Sequence, residues 1–239
     1  MTSAHTAAAT SAPSTYTTRE FWERLWRTAG IQFVAFFIVT TLIYGVQPHA
    51  GASADELLAF YGGGRTRILI ATSLSGLNIL NLMWFVAALR TALADAGQDG
   101  WGTAAITSGA MFGGLTLLAL TINAALAYSI ASSGNGALTS ALNDLSWALV
   151  VLTSFPRAML IMSGAFGLWR AGLISNALFG VGVAAVVLGV LGGTTWLGGG
   201  VWAPDGAFTR FVSPLLLLVW IVVVSRVLLR RGPATRGAW

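Results

Sequence analysis

The sequence predicts an all-α polytopic membrane bundle: six transmembrane helices with both termini in the cytoplasm. Three observations lead there. First, the 239 residues are 56% hydrophobic and only 9% charged, with a mean hydropathy of +0.76. A soluble domain carries about 25% charge, so a chain this apolar must meet lipid. Second, six apolar segments, near 28–46, 68–89, 103–129, 144–169, 172–197 and 211–229, are each long enough to cross a ~30 Å hydrocarbon core at about 1.5 Å per residue. None alternates apolar with polar residues as barrel strands do, and in lipid every backbone amide needs an internal partner, so they are helices. Third, the arginines are asymmetric. Arg19, Arg24, Arg27, Arg90, Arg170, Arg226, Arg230, Arg231 and Arg236 fall on the side of the termini, and only Arg65, Arg67 and Arg210 on the other. The basic side is the cytoplasmic one.

In chain order, residues 1–18 are rich in Ala, Ser and Thr, without periodicity, and read as a disordered tail; they lack the pattern of a secretory signal peptide. Residues 19–27 set Phe21, Trp22, Leu25 and Trp26 against Arg19, Glu20, Glu23, Arg24 and Arg27, the pattern of an interfacial amphipathic helix. The transmembrane domain occupies 28–230, and 231–239 form a cytoplasmic tail. The first outer loop carries Ser53-x-x-Glu56, a capping-box pattern, so 53–61 reads as a short surface helix with Leu57, Leu58 and Phe60 facing membrane or bundle. Gly62-Gly63-Gly64 ends it. No lysine follows, so the run is not a nucleotide phosphate loop. Outer loops near 132–139 and 198–208 are glycine-rich. Trp22, Trp26, Trp101 and Trp169 at one interface, and Trp147, Trp196 and Trp202 at the other, form an aromatic belt.

Composition excludes much chemistry. All 13 basic residues are arginines, so no lysine can form a Schiff base. There is no cysteine, which removes disulfides, thiolate metal sites and iron–sulfur clusters. The two histidines, His5 and His49, stand outside any ligand-spaced cluster, so neither a metal site nor a cofactor is expected. The pI of about 10.7 reflects arginines beside spans, not nucleic-acid binding.

Small residues recur at three- or four-residue steps: Gly109 and Gly113 in the third span, and Gly182, Ala185, Gly189 and Gly193 in the fifth. Such faces let helices approach closely in lipid, either within the chain or as a homodimer seam. A polar layer crosses three spans. The second holds Thr72, Ser75, Asn78 and Asn81; the third holds Thr116 and Asn123; the fourth holds Thr153 and Arg157. Span limits place Asn78, Thr116 and Arg157 at similar depth, with Arg157 at the midpoint of its span. Arginine cannot deprotonate its way out, and at mid-membrane it costs about 2.5–3.5 kcal/mol on insertion scales. No acidic residue lies at that depth. Pro156 kinks the helix and leaves the Leu152 carbonyl without its usual donor. Freed carbonyls, Thr153 and the asparagines are the expected acceptors, or else a ligand supplies the partner.

Ser53-Ala54-Asp55-Glu56-Leu57-Leu58-Ala59-Phe60-Tyr61, Arg65-Thr66-Arg67-Ile68-Leu69, Trp84-Phe85-Val86-Ala87-Ala88-Leu89-Arg90, Phe155-Pro156 and Leu168-Trp169-Arg170-Ala171-Gly172 together resemble a group of uncharacterised six-span integral membrane proteins of high-GC Gram-positive bacteria. The resemblance implies the six-span architecture and a location in the bacterial cytoplasmic membrane. It implies no activity.

The expected function is binding of a small amphipathic, lipidic or anionic ligand, or of a membrane partner, through a layer formed by Arg157, Asn78, Asn81, Thr116, Asn123 and Thr153, with Trp220 alongside. A membrane-embedded cyclase or isomerase acting on a lipophilic substrate, walled by Trp220 and Trp84, is the alternative. An accessory transport subunit is a second. Proton-coupled transport is disfavoured, because no span carries an Asp, Glu or His near its centre. Serine hydrolysis is disfavoured because Ser154 and Ser163 have no base nearby in sequence. Paired-carboxylate catalysis would have to draw on Asp144, Asp55, Glu56 and Asp205 at the outer face.

Overall fold

The computed structural model describes residue 26 and residues 28–230. The expected tail 1–18, the expected interfacial helix 19–27 apart from Trp26, and the tail 231–239 lie outside the described residues. No strand occurs among the described residues. The helices are α1 (Ala29–Tyr44), α2 (Ala54–Gly63), α3 (Arg65–Asp95), α4 (Asp99–Ala125), α5 (Gly136–Leu152), α6 (Ser154–Arg170), α7 (Asn176–Gly192) and α8 (Ser213–Arg230). A π turn and a 3-10 turn carry α4 on to Ser133, α5 and α6 run on through Thr153, and a π turn from Phe208 leads into α8. Four continuous stretches, Arg65–Asp95, Asp99–Ser133, Gly136–Arg170 and Phe208–Arg230, are long and apolar enough to cross a membrane, and α1 and α7 are shorter apolar helices.

The ends follow local chemistry. Ser53 Oγ accepts from Glu56 N at 3.3 Å and starts α2, as the capping pattern predicts. The fourth apolar helix begins at Gly136, not near 144, because Asn135 Oδ1 accepts from Leu138 N at 3.1 Å. Gly134, at φ +72°, reverses the chain in a left-handed conformation that glycine takes without strain. The expected loop at 132–139 thus shrinks to a tight turn. Conversely, α7 stops at Gly192, short of the expected 197, and short 3-10 turns at Thr195–Leu197 and Gly200–Trp202 follow. The helix between α5 and α6 breaks at Thr153, three residues before Pro156, which has no N–H to return to Leu152.

These helices pack as neighbours: α3 lies between α1 and α4, α4 packs on α6, α6 on α7, and α8 reaches α1, α6 and α7. The main core joins Phe33, Leu82, Phe85, Leu89, Leu93, Leu160, Ile161, Leu168, Trp220 and Ile221. The proximal end of the bundle carries Arg90, Arg170 and Arg230; the distal end carries α2 and the loops after α1 and α7. A smaller core lies distally, where Leu57 and Tyr61 of α2 meet Ile68, Leu126 and Ala131. The outer faces are apolar and exposed, among them Leu77, Met83, Trp84, Met111, Phe211 and Leu215. The glycine faces are occupied within the chain. A Cβ on Gly109 would lie 2.7 Å from Val86, on Gly113 3.4 Å from Ile79, on Gly182 2.8 Å from Ala165, and on Gly189 3.0 Å from Ala158, while Gly193 lies against the Phe155 ring.

Candidate functional site: a buried arginine among hydroxyls

Arg157 sits in the first turn after the Thr153 break and is only 6% exposed. Its Nη2 donates to Ser154 Oγ at 2.7 Å and to Ser213 Oγ; Nε has no partner. Three helix ends meet here. Ser154 opens α6, Ser213 opens α8, and Gly192 closes α7. A Cβ on Gly192 would lie 3.2 Å from Ser154 Oγ and 3.3 Å from Ser213 Oγ, so the glycine lets α7 close over both hydroxyls. Arg157 thus lies just past the break at Thr153 in the stretch Gly136–Arg170, beside the end of α7 and the junction where the π turn passes into α8.

Both hydroxyls are neutral. A hydrogen bond to a charged group contributes roughly 1.5–3 kcal/mol, and a buried donor left unpaired costs about 1–3 kcal/mol. The two bonds thus offset part of the cost of burying the guanidinium, and the charge itself has no counter-ion. Among the described residues the ion pairs are His49–Glu56, Arg90–Asp99 and Arg210–Asp205, and Arg157 is in none of them.

The other expected site residues fall into separate groups. Asn78 Nδ2 donates to Phe33 O at 3.0 Å and ties α3 to α1, and Asn81 Nδ2 donates to Asn78 Oδ1 at 3.2 Å. Thr116 returns its proton to Phe112 O at 2.8 Å and Thr153 to Val150 O at 2.6 Å, each inside its own helix. Asn123 belongs to a distal cluster. Trp220 is buried between Gly164 and Gly182, packed as core. So no hydrogen bond links Arg157 to the asparagines or to Thr116, and its acceptors are serines that the apolar pattern hides. The available signal was Ser213-Pro214, a serine just ahead of a proline at a helix start, echoing Ser154-Phe155-Pro156.

The distal cluster was also hidden, because Asn143 falls just outside the expected fourth span at 144–169. Tyr61 Oη lies 3.0 Å from Asn143 Oδ1 and 3.2 Å from Asn123 Oδ1. Gln47 Nε2 donates to Asn143 Oδ1 at 3.2 Å. The segment after α1 is then clamped residue by residue: Asn143 Nδ2 to His49 O at 3.1 Å, Trp147 Nε1 to Pro48 O at 2.8 Å, Gly51 N to Asp144 Oδ1 at 2.8 Å, and Arg210 Nη1 to Gln47 O at 2.8 Å. Arg210 also donates to Asp205 O and stacks 4.7 Å above the Trp147 ring. Three of the carboxylates considered for acid–base work have other partners: Asp144 holds a backbone amide, Asp205 pairs with Arg210, and Glu56 stands 3.9 Å from His49. Among the described residues no group of three His, Cys, Asp or Glu side chains could hold a metal ion.

No protein-family model, curated protein or solved structure matches the chain.

Proposed function

We propose that the chain is a six-span protein of the bacterial cytoplasmic membrane, with both termini cytoplasmic, that holds the anionic head of a small amphipathic or lipidic ligand at Arg157. The observation that carries this reading is the buried guanidinium with two hydroxyl acceptors and an unpartnered Nε. A carboxylate or phosphate is the group that such a fork accepts, through two parallel charge-assisted bonds. Two features support the membrane reading. Lipid-facing apolar residues cover the bundle, and α1 and α7 add two short spans to the four long ones. Arg90, Arg170 and Arg230 lie at the proximal end, and by sequence nine arginines fall on the side of the termini against three on the other, which favours a cytoplasmic placement of that end.

Mass spectrometry of small molecules that co-purify with wild type and with Arg157→Ala tests the reading. An anionic amphiphile present with wild type and absent from the variant is expected. Ligand-stripped Arg157→Leu in detergent should be as stable as wild type or more so, since replacing a buried charge by an apolar side chain of similar reach is often neutral or favourable by about 1–4 kcal/mol. Marked destabilisation of the stripped variant, with identical co-purified molecules, would overturn it and leave Arg157 as a cross-link between α6 and α8.

A further inference from the structure

We propose a second anion site, independent of Arg157, at the distal α2–α3 turn: Arg65 and Arg67 hold the phosphate of a phospholipid whose acyl chain lies along α3. The proposal rests on the membrane reading of the bundle and not on ligand binding at Arg157. The turn residues Gly62, Gly63, Gly64, Arg65, Thr66 and Arg67, with Ala59, line an open depression of about 550 Å³. Gly62 and Gly63 leave it empty, since a Cβ on either would meet nothing within 4 Å.

Both guanidiniums are exposed, and neither forms an ion pair with a carboxylate among the described residues. The third distal arginine, Arg210, has Asp205. Aromatic faces hold the two in place instead: Arg65 lies 5.1 Å from the Tyr128 ring centroid and Arg67 5.2 Å from that of Phe60. A ring face orients a cation but does not neutralise it. Gly45 and Gly64 let the backbone approach the Arg67 guanidinium, to which a Cβ would come within 3.3 Å and 2.9 Å. The first-turn amides of α3 add donors to the two cations; they do not make the site by themselves.

The surface below the depression fixes the occupant as a lipid. Thr66, Ile70, Leu77, Leu80 and Trp84 follow at three-, four- or seven-residue steps, so they share one face of α3, and all five are exposed. From 66 to 84 the track is about 27 Å long at 1.5 Å per residue, enough for an extended acyl chain. A doubly cationic head site on top of an apolar track fits an amphiphile with an anionic head. It offers no pocket for a base or sugar.

Native mass spectrometry from nanodiscs of phosphatidylglycerol and phosphatidylcholine tests this, comparing wild type, Arg65→Gln/Arg67→Gln, Arg65→Gln alone, and Arg90→Gln as a control at the proximal end. Wild type should retain phosphatidylglycerol over phosphatidylcholine. The double variant should lose about tenfold or more of that retention, two surface cations each contributing to lipid attraction. Arg65→Gln should lose part of it, and Arg90→Gln should keep it. If the double variant does not fold, the Arg65→Gln arm decides. Equal retention by wild type and the Arg65 variants would overturn the proposal. So would a wild-type protein that shows no lipid preference but is stabilised by millimolar inorganic phosphate, which would make free phosphate the ligand.

Discussion

Tyr61 has one proton and two amide oxygens within reach, Asn143 Oδ1 and Asn123 Oδ1, and its side chain is buried. Burial pushes its hydroxyl well above the usual tyrosine range, because a phenolate there would lose its water, and the Tyr44 and Gln47 side chains offset this only in part. A group whose folded pKa is raised adds stability below the unfolded value, about 10 for tyrosine, and loses it as pH rises toward the folded value. Wild type should therefore be more stable than Tyr61→Phe near pH 8, by about 0.5–1.5 kcal/mol for the lost hydrogen bond. That gap should close above about pH 10. Thermal melts of both proteins from about pH 8 to well above about pH 10 check it; a gap that stays constant above about pH 10 would show that Tyr61 is not what titrates.

At the scale of elements, caps and breaks decide where apolar sequence becomes helix. The Ser53 cap and the Pro156 break were legible because each needs only residues three or four positions apart. The start of α5 was not, because Asn135 lies outside the apolar run that marks the helix, and neither was the early end of α7. Glycine spacing indicated close packing but not its partner: Gly182 is filled by Ala165 and Trp220, whereas Gly180, two residues earlier, faces open space. Gly182→Val should therefore overpack the α6–α7–α8 junction and cost about 1–3 kcal/mol. Gly180→Val should stay within about 0.5 kcal/mol of wild type. Melting temperatures in one detergent measure both, and similar losses at the two positions would contradict this packing.

At the scale of the molecule, four helices are long and apolar enough to span a bilayer, and the chain reverses between its two ends. The proposed orientation has a direct test because the protein contains no cysteine. Asp55→Cys and Ser133→Cys should react with a membrane-impermeant maleimide in intact cells, and Gly100→Cys only after permeabilisation. The opposite pattern would invert the topology. The sequence by itself determined the helical, strongly apolar character of the described residues, the cap at Ser53 and the helix break ahead of Pro156, since each depends on composition or on residues close in the chain. Only the tertiary structure decided that Arg157 meets Ser154 and Ser213, that Asn78 turns to α1, and that Asn123 joins Tyr61 and Asn143. Which polar groups meet depends on how each helix is rotated and which neighbour it faces. In a chain apolar on nearly every side, periodicity leaves both undetermined.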